Sequence, residues 1–192
     1  MIHKSALLMI AIIIILPASA LAADSIMEQI EFNANAGLSM PIGDTGDSYN
    51  TGICFGLDGF IPHTDNILLG GRIAYNRWGV DEGGWTGTDI DGSASIMEFI
   101  PQVKYLFSQS DSTGSTNKYF GQAGIGFYRS AFDVDVGNDN YDDSEINLGM
   151  SLGGGIIIHQ SESRRWEIKP ALNIIFNDGT SKYFTISGGF SF

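Results

Sequence analysis

The chain has 192 residues, 17% charged and 11% aromatic, with 25 glycines and a formal net charge of -12. This length suits one domain, a closed β-barrel or a sandwich. Ten scattered Lys and Arg against 22 Asp and Glu exclude a phosphate-binding surface, so no nucleic-acid partner is expected, and the single cysteine, Cys54, excludes an intrachain disulfide.

His3 and Lys4 precede an apolar run over residues 6–16, then Pro17 and the small-residue stretch Ala18-Ser19-Ala20-Leu21-Ala22-Ala23. That is the order of a secretory signal peptide, here residues 1–22, cleaved near Ala22. The run is shorter than the ~20 residues a membrane-spanning helix needs. No long apolar segment follows in residues 23–192, so membrane residence would require a barrel, because only helices and closed barrels satisfy their backbone groups in lipid.

The rest of the chain alternates at period two, the signature of strands. Over residues 30–40, Phe32, Ala34, Ala36 and Leu38 oppose Glu31, Asn33, Asn35 and Ser39, until the Pro41 to Asp47 stretch breaks the pattern. Residues 51–60 set Ile53, Phe55 and Leu57 against Cys54, Gly56 and Asp58. Residues 67–78 set Leu69, Ile73 and Tyr75 against Arg72, Ala74 and Asn76, and an acidic, Gly-rich loop is expected over 79–93.

The fourth strand, 95–107, opposes Met97, Phe99, Val103 and Tyr105 to Glu98, Gln102 and Lys104. Pro101 lacks an amide hydrogen, so a bulge or an unpaired position is expected there. A Ser- and Thr-rich turn at 108–117, unexpectedly long, leads to a fifth strand, 118–131, with Ile125 and Phe127 opposite Gln122 and Tyr128. A second acidic loop is expected over 133–145, then a sixth strand over 146–158, a turn over 159–164 and a seventh strand over 165–176, where Trp166 and Ile168 oppose Glu167 and Lys169.

The eighth strand, 183–192, alternates most cleanly, with Phe184, Ile186, Phe190 and Phe192 against Tyr183, Thr185, Ser187 and Ser191. An even number of strands, each long enough to cross a bilayer when tilted, predicts an all-β, eight-stranded antiparallel up-and-down transmembrane β-barrel.

The Gly37 to Asp44 stretch, the Phe120-Gly121-Gln122-Ala123-Gly124-Ile125-Gly126 strand and terminal Phe192 give the chain a family resemblance. It resembles the small outer-membrane β-barrels, the eight-stranded group that includes the OmpA transmembrane domain and the OmpX and Ail proteins. The resemblance implies a bacterial outer-membrane location, contact with lipid and lipopolysaccharide, and Phe192 as the signal read by the outer-membrane assembly machinery. It also implies a role in adhesion or envelope integrity.

Arg72, Glu98, Lys104, Glu167 and Lys169 share the polar face, with Glu31 near one end. In an eight-stranded barrel the interior is only wide enough for side chains, so these charges are expected to pair and plug the lumen. The alternative is a gate in a narrow porin for small solutes. Trp78, Trp85, Tyr105, Phe107, Tyr119 and Trp166 suit interfacial girdles.

Asp133, Asp135, Asp139, Asp142 and Asp143 offer carboxylate oxygens to cations, but Gly137 and Glu145 miss the positions of the twelve-residue calcium loop. A solvated loop sharing divalent cations with lipopolysaccharide is expected, with no dedicated metal site and no cofactor. His159, Ser161 and Glu162 hold the residue types of a barrel lipase that modifies lipid A, yet they fall in a periplasmic turn, so no enzyme is expected. A closed barrel satisfies its own edges, and a monomer is expected.

Overall fold

The computed structural model describes residues 30–80, 90–107, 117–136, 139–161, 164–177 and 179–191. The alternation becomes eight strands: β1 (Glu31–Ile42), β2 (Gly52–Pro62), β3 (Ile67–Gly79), β4 (Ile90–Phe107), β5 (Lys118–Val136), β6 (Asp139–Ser161), β7 (Arg164–Phe176) and β8 (Ser181–Ser191). Each pairs antiparallel with its sequence neighbours, and β1 pairs with β8, placing Ala34 opposite Phe190 and Leu38 opposite Ile186. The sheet is therefore a closed up-and-down barrel, not a sandwich.

Closure places the ends of β1 and β8 at one end of the barrel, together with the β2–β3, β4–β5 and β6–β7 connections. We refer to it as the terminal end and to the other as the loop end.

Period two fixes which way each side chain points, and the outcome inverts a soluble protein. Phe55, Leu57, Ile73, Phe99, Ile125, Leu148 and Ile168 are exposed on the outer wall, Ile125 at 67%. Asp58, Asn76 and Glu98, at 0%, face the bore with Arg72, Lys104, Glu167 and Lys169. Tyr105, Phe107, Tyr119 and Trp166 form an exposed aromatic ring near the terminal end, with Phe107 paired to Tyr119 across β4–β5.

Three strands, β4, β5 and β6, run five or more residues longer than the sequence reading predicts. Residues 133–136 and 139–145 are strand, not loop: β5 and β6 pair through Asp133 opposite Asp142 to Val136 opposite Asp139, and β4 joins them from Ile90. The cause lies in Phe132, Val134 and Val136 alternating with Asp133 and Asp135, a period-two pattern of aromatic and β-branched residues that carries the ladder onward. β6 meets β7 only from Leu148, so a three-stranded ribbon projects past the shorter strands at the loop end.

Pro101 leaves a gap in the β4–β5 ladder between Phe99–Phe127 and Gln102–Gly124, with no change of register, while Gly71 still pairs with it on the other side. Pro170 does the same between β6 and β7. The missing amide hydrogen removes a rung without needing a bulge. At 159–164 the expected turn is largely strand, His159 pairing with Arg165 before an irregularity at Ser161.

Candidate functional site

The bore holds three layers. In the middle, Arg72 on β3 bridges two carboxylates, donating from Nε to Glu98 Oε2 at 3.0 Å and from Nη1 to Asp58 Oδ1 at 3.3 Å. Lys169 Nζ on β7 donates to Asp58 Oδ2, and Asn35 Nδ2 donates to the same oxygen at 2.9 Å. Asn76 Nδ2 and Tyr183 Oη donate to Glu98 Oε1 at 2.6 and 2.7 Å.

Each of these carboxylates thus receives three donors, and two acids balance two bases. Burial of charge is tolerated on these terms, because the Coulombic attraction and the hydrogen bonds together offset desolvation.

Toward the loop end, Trp78, Ala94, Ile96, Ile100, Tyr128, Ile175 and Tyr183 form a buried cluster, and Tyr49 packs against it. Trp78 and Tyr183 meet edge to face with centroids 5.3 Å apart, and Trp78 Nε1 donates to the Ser39 carbonyl at 3.0 Å. Burial pushes the Tyr49 phenol above its ordinary pKa. This cluster lies above the ion pairs, on their loop-end side.

Toward the terminal end, Lys104 Nζ donates to Glu167 Oε2 at 2.9 Å and lies 4.4 and 4.5 Å from the ring centroids of Phe60 and Phe120. Below it the bore widens into a vestibule, whose mouth carries the Arg165–Glu31 pair at 2.9 Å. Among the described residues no group of three or more His, Cys, Asp or Glu is placed to hold a metal ion.

The sequence matches no family model and no curated protein. The solved structures do show likeness. Neisserial surface protein A superposes with a TM-score of 0.60 at 13% identity, over 85% of this chain and 96% of that one. Ail, the attachment invasion locus protein of Yersinia pestis, gives 0.53 at 14% over 85% and 97%. A major outer membrane protein from Thermus thermophilus gives 0.54 at 13% over 85% and 98%. This chain has the fold of the small eight-stranded outer-membrane barrels.

Within this outer-membrane barrel fold, the five charged residues singled out from sequence all face the bore, but they do not form one network. Lys104 and Glu167 pair apart from Arg72 and Glu98, and Lys169 pairs with none of the other four. Its partner is Asp58, which the sequence reading places on the polar face yet leaves out of the charged group. The stagger between strands, which period two does not encode, decides who meets whom across the bore.

Trp78 is a second correction: it does not join a girdle but points inward, at 2% exposure, because it shares parity with Arg72 and Asn76. Asp133 and Asp143 are exposed on the ribbon, and Asp143 Oδ1 accepts from the Ser144 amide at 2.8 Å. The side chains of Asp135, Asp139, Asp142 and Ser161 lie outside the described residues, as do residues 1–22, Trp85, Glu162 and Phe192.

Proposed function

We propose that this chain is an exported, non-enzymatic outer-membrane barrel whose bore is closed by its own side chains. Its loop end mediates envelope integrity, adhesion or ligand contact. One observation carries the reading: six buried charges, Asp58, Glu98 and Glu167 against Arg72, Lys104 and Lys169, sit inside a wall whose outer face is apolar. In water that wall would be a liability, since soluble monomers rarely expose large contiguous apolar patches. In lipid it is the solvated face.

An even number of strands brings the start of β1 and the end of β8 to one side, and this reading assigns that side to the periplasm, as in other outer-membrane barrels. The ribbon of β4, β5 and β6 then projects outward, with the acidic positions of residues 133–145 available to cations, lipopolysaccharide or a surface ligand. Two structural neighbours are a surface protein and an attachment invasion locus protein, which supports a surface role.

The test is expression in a Gram-negative host. The mature chain should fractionate with the outer membrane and migrate differently on a denaturing gel when unheated and when boiled. Removing residues 133–145 should leave insertion intact and abolish surface contact. A soluble periplasmic product would overturn the membrane assignment, and a changed lipid A profile in expressing cells would overturn the non-enzymatic one.

A further inference from the structure

Parity and position sort the basic residues of the strands into three groups. Arg72, Lys104 and Lys169 face the bore. Lys118, Arg164 and Arg165 begin β5 and β7 at the terminal end. The others, Arg77 on β3, Arg129 on β5 and Lys182 on β8, are exposed and share their parity with Ile73, Ile125 and Ile186 on the outer wall.

The heights of these outward cations agree. Arg77 lies ten residues along β3 from Ile67, which pairs with Tyr105 of the aromatic ring, and Arg129 lies ten residues along β5 from Tyr119. Lys182 lies eight residues along β8 from Phe190, which meets Trp166 edge to face with centroids 5.3 Å apart. At a rise of ~3.3 Å per residue and a tilt of ~35–45°, these spans lift all three roughly 20–25 Å above the ring, the height of the apolar band of an outer-membrane barrel. Among the described residues of the outer wall, none between the two levels is charged. The wall therefore has an aromatic rim at the terminal end and a cationic rim at the loop end.

A side chain at that height stands where hydrocarbon gives way to lipid head groups, and Lys and Arg there attract lipid phosphates. None of the three cations forms an ion pair with a described residue. The next acid on the outer face of β5, Asp133, is four residues beyond Arg129. Arg77 and Arg129 flank β4, the first opposite Ser95 and the second opposite Met97. Two strand spacings of ~4.8 Å and an offset of two residues set their backbones roughly 12 Å apart, so both guanidinium forks can close on one tetrahedral anion over β4.

We propose that Arg77 and Arg129 form a binding site for the phosphate of a membrane lipid in the leaflet around the loop end, with Lys182 as a separate contact on the side of the barrel opposite β4. The inference rests on the outer-membrane reading above.

The experiment is native mass spectrometry of the refolded mature barrel in an amine-oxide detergent, titrated with diphosphorylated lipid A, its dephosphorylated form and inorganic phosphate. Saturable binding of the diphosphorylated lipid is expected. The double variant Arg77→Gln, Arg129→Gln should weaken it about 30-fold, and Arg129→Lys, which keeps the charge, should weaken it far less. Lys118→Gln, at the terminal end, should leave it unchanged. All the substitutions are at exposed positions, and the gel shift on boiling verifies that each variant is folded.

Three results would overturn the proposal. Equal binding of both lipids would mean that the phosphate is not read. An unchanged affinity in the folded double variant would place the contact elsewhere. Inorganic phosphate bound as tightly as the lipid would make this a site for soluble anions. Failure of the membrane assignment would show separately, as a soluble periplasmic product on fractionation, whereas a barrel that fractionates with the outer membrane yet gives any of these three results fails the lipid site alone.

Discussion

Lys169 on β7 and Asp58 on β2 meet across the bore, 111 residues apart in sequence and separated around the wall by β1 and β8. The contact joins opposite sides of the barrel, and Arg72 and Asn35 complete the same carboxylate.

Replacing Asp58 with Ala should therefore strand the Lys169 charge and half of the Arg72 fork in a buried interior. Breaking a buried pair this way costs about 3–5 kcal/mol. Urea unfolding of the refolded barrel measures it. Glu31→Ala, at the partly exposed pair with Arg165, should cost no more than about 1 kcal/mol on the same assay.

Tyr183→Phe removes only a hydroxyl, the one donating to Glu98 Oε1 at 2.7 Å. A hydrogen bond to a charged acceptor contributes about 1.5–3 kcal/mol, and Glu98 keeps Arg72 and Asn76. The variant should fold with an unfolding free energy lowered by that amount. A loss near zero would show that Glu98 does not depend on the donor from β8.

The outer wall makes a depth-dependent prediction. Ile125→Arg, near mid-wall, should cost about 2–4 kcal/mol for folding into lipid vesicles, whereas Phe107→Arg, in the aromatic ring, should cost about 0–1 kcal/mol. Equal and small costs at both positions would mean that this face does not meet hydrocarbon.

Glycines differ in the same position-dependent way. A Cβ on Gly37 would collide with the Ile186 carbonyl of β8, while a Cβ on Gly188 meets nothing within 4 Å. Gly37→Ala should lower stability by about 1–3 kcal/mol through overpacking. Gly188→Ala should be neutral or raise it by about 0.4–1 kcal/mol through the unfolded chain. Thermal unfolding of the two single variants side by side decides it.

Most of the wall is legible in the sequence because period two assigns each residue to a face without any knowledge of its partners. Arg72, Glu98, Lys104, Glu167 and Lys169 are placed in the bore on that ground alone, and the parity of Trp78 places it there too once the aromatic-girdle expectation is set aside. Asp58 is equally visible, at the same spacing as Cys54 and Gly56, but its role as acceptor for Lys169 depends on strand stagger.

The ribbon is hidden for a different reason. Acidic and Gly-bearing composition marks residues 133–145 as a loop, yet Phe132, Val134 and Val136 keep the strand period. Main-chain pairing needs no buried face, so the ladder continues beyond the barrel.

The most direct test of the closed bore is single-channel conductance of the refolded mature chain in a planar bilayer, with the gel shift on boiling as the folding control. Folded protein should insert and remain silent, because the Asp58, Arg72, Glu98 and Lys169 cluster fills the bore beneath the Trp78 and Tyr183 lid. Discrete conductance steps from the parent protein, changing size or ion selectivity on Glu98→Gln, would contradict the account and establish a water path through those ion pairs.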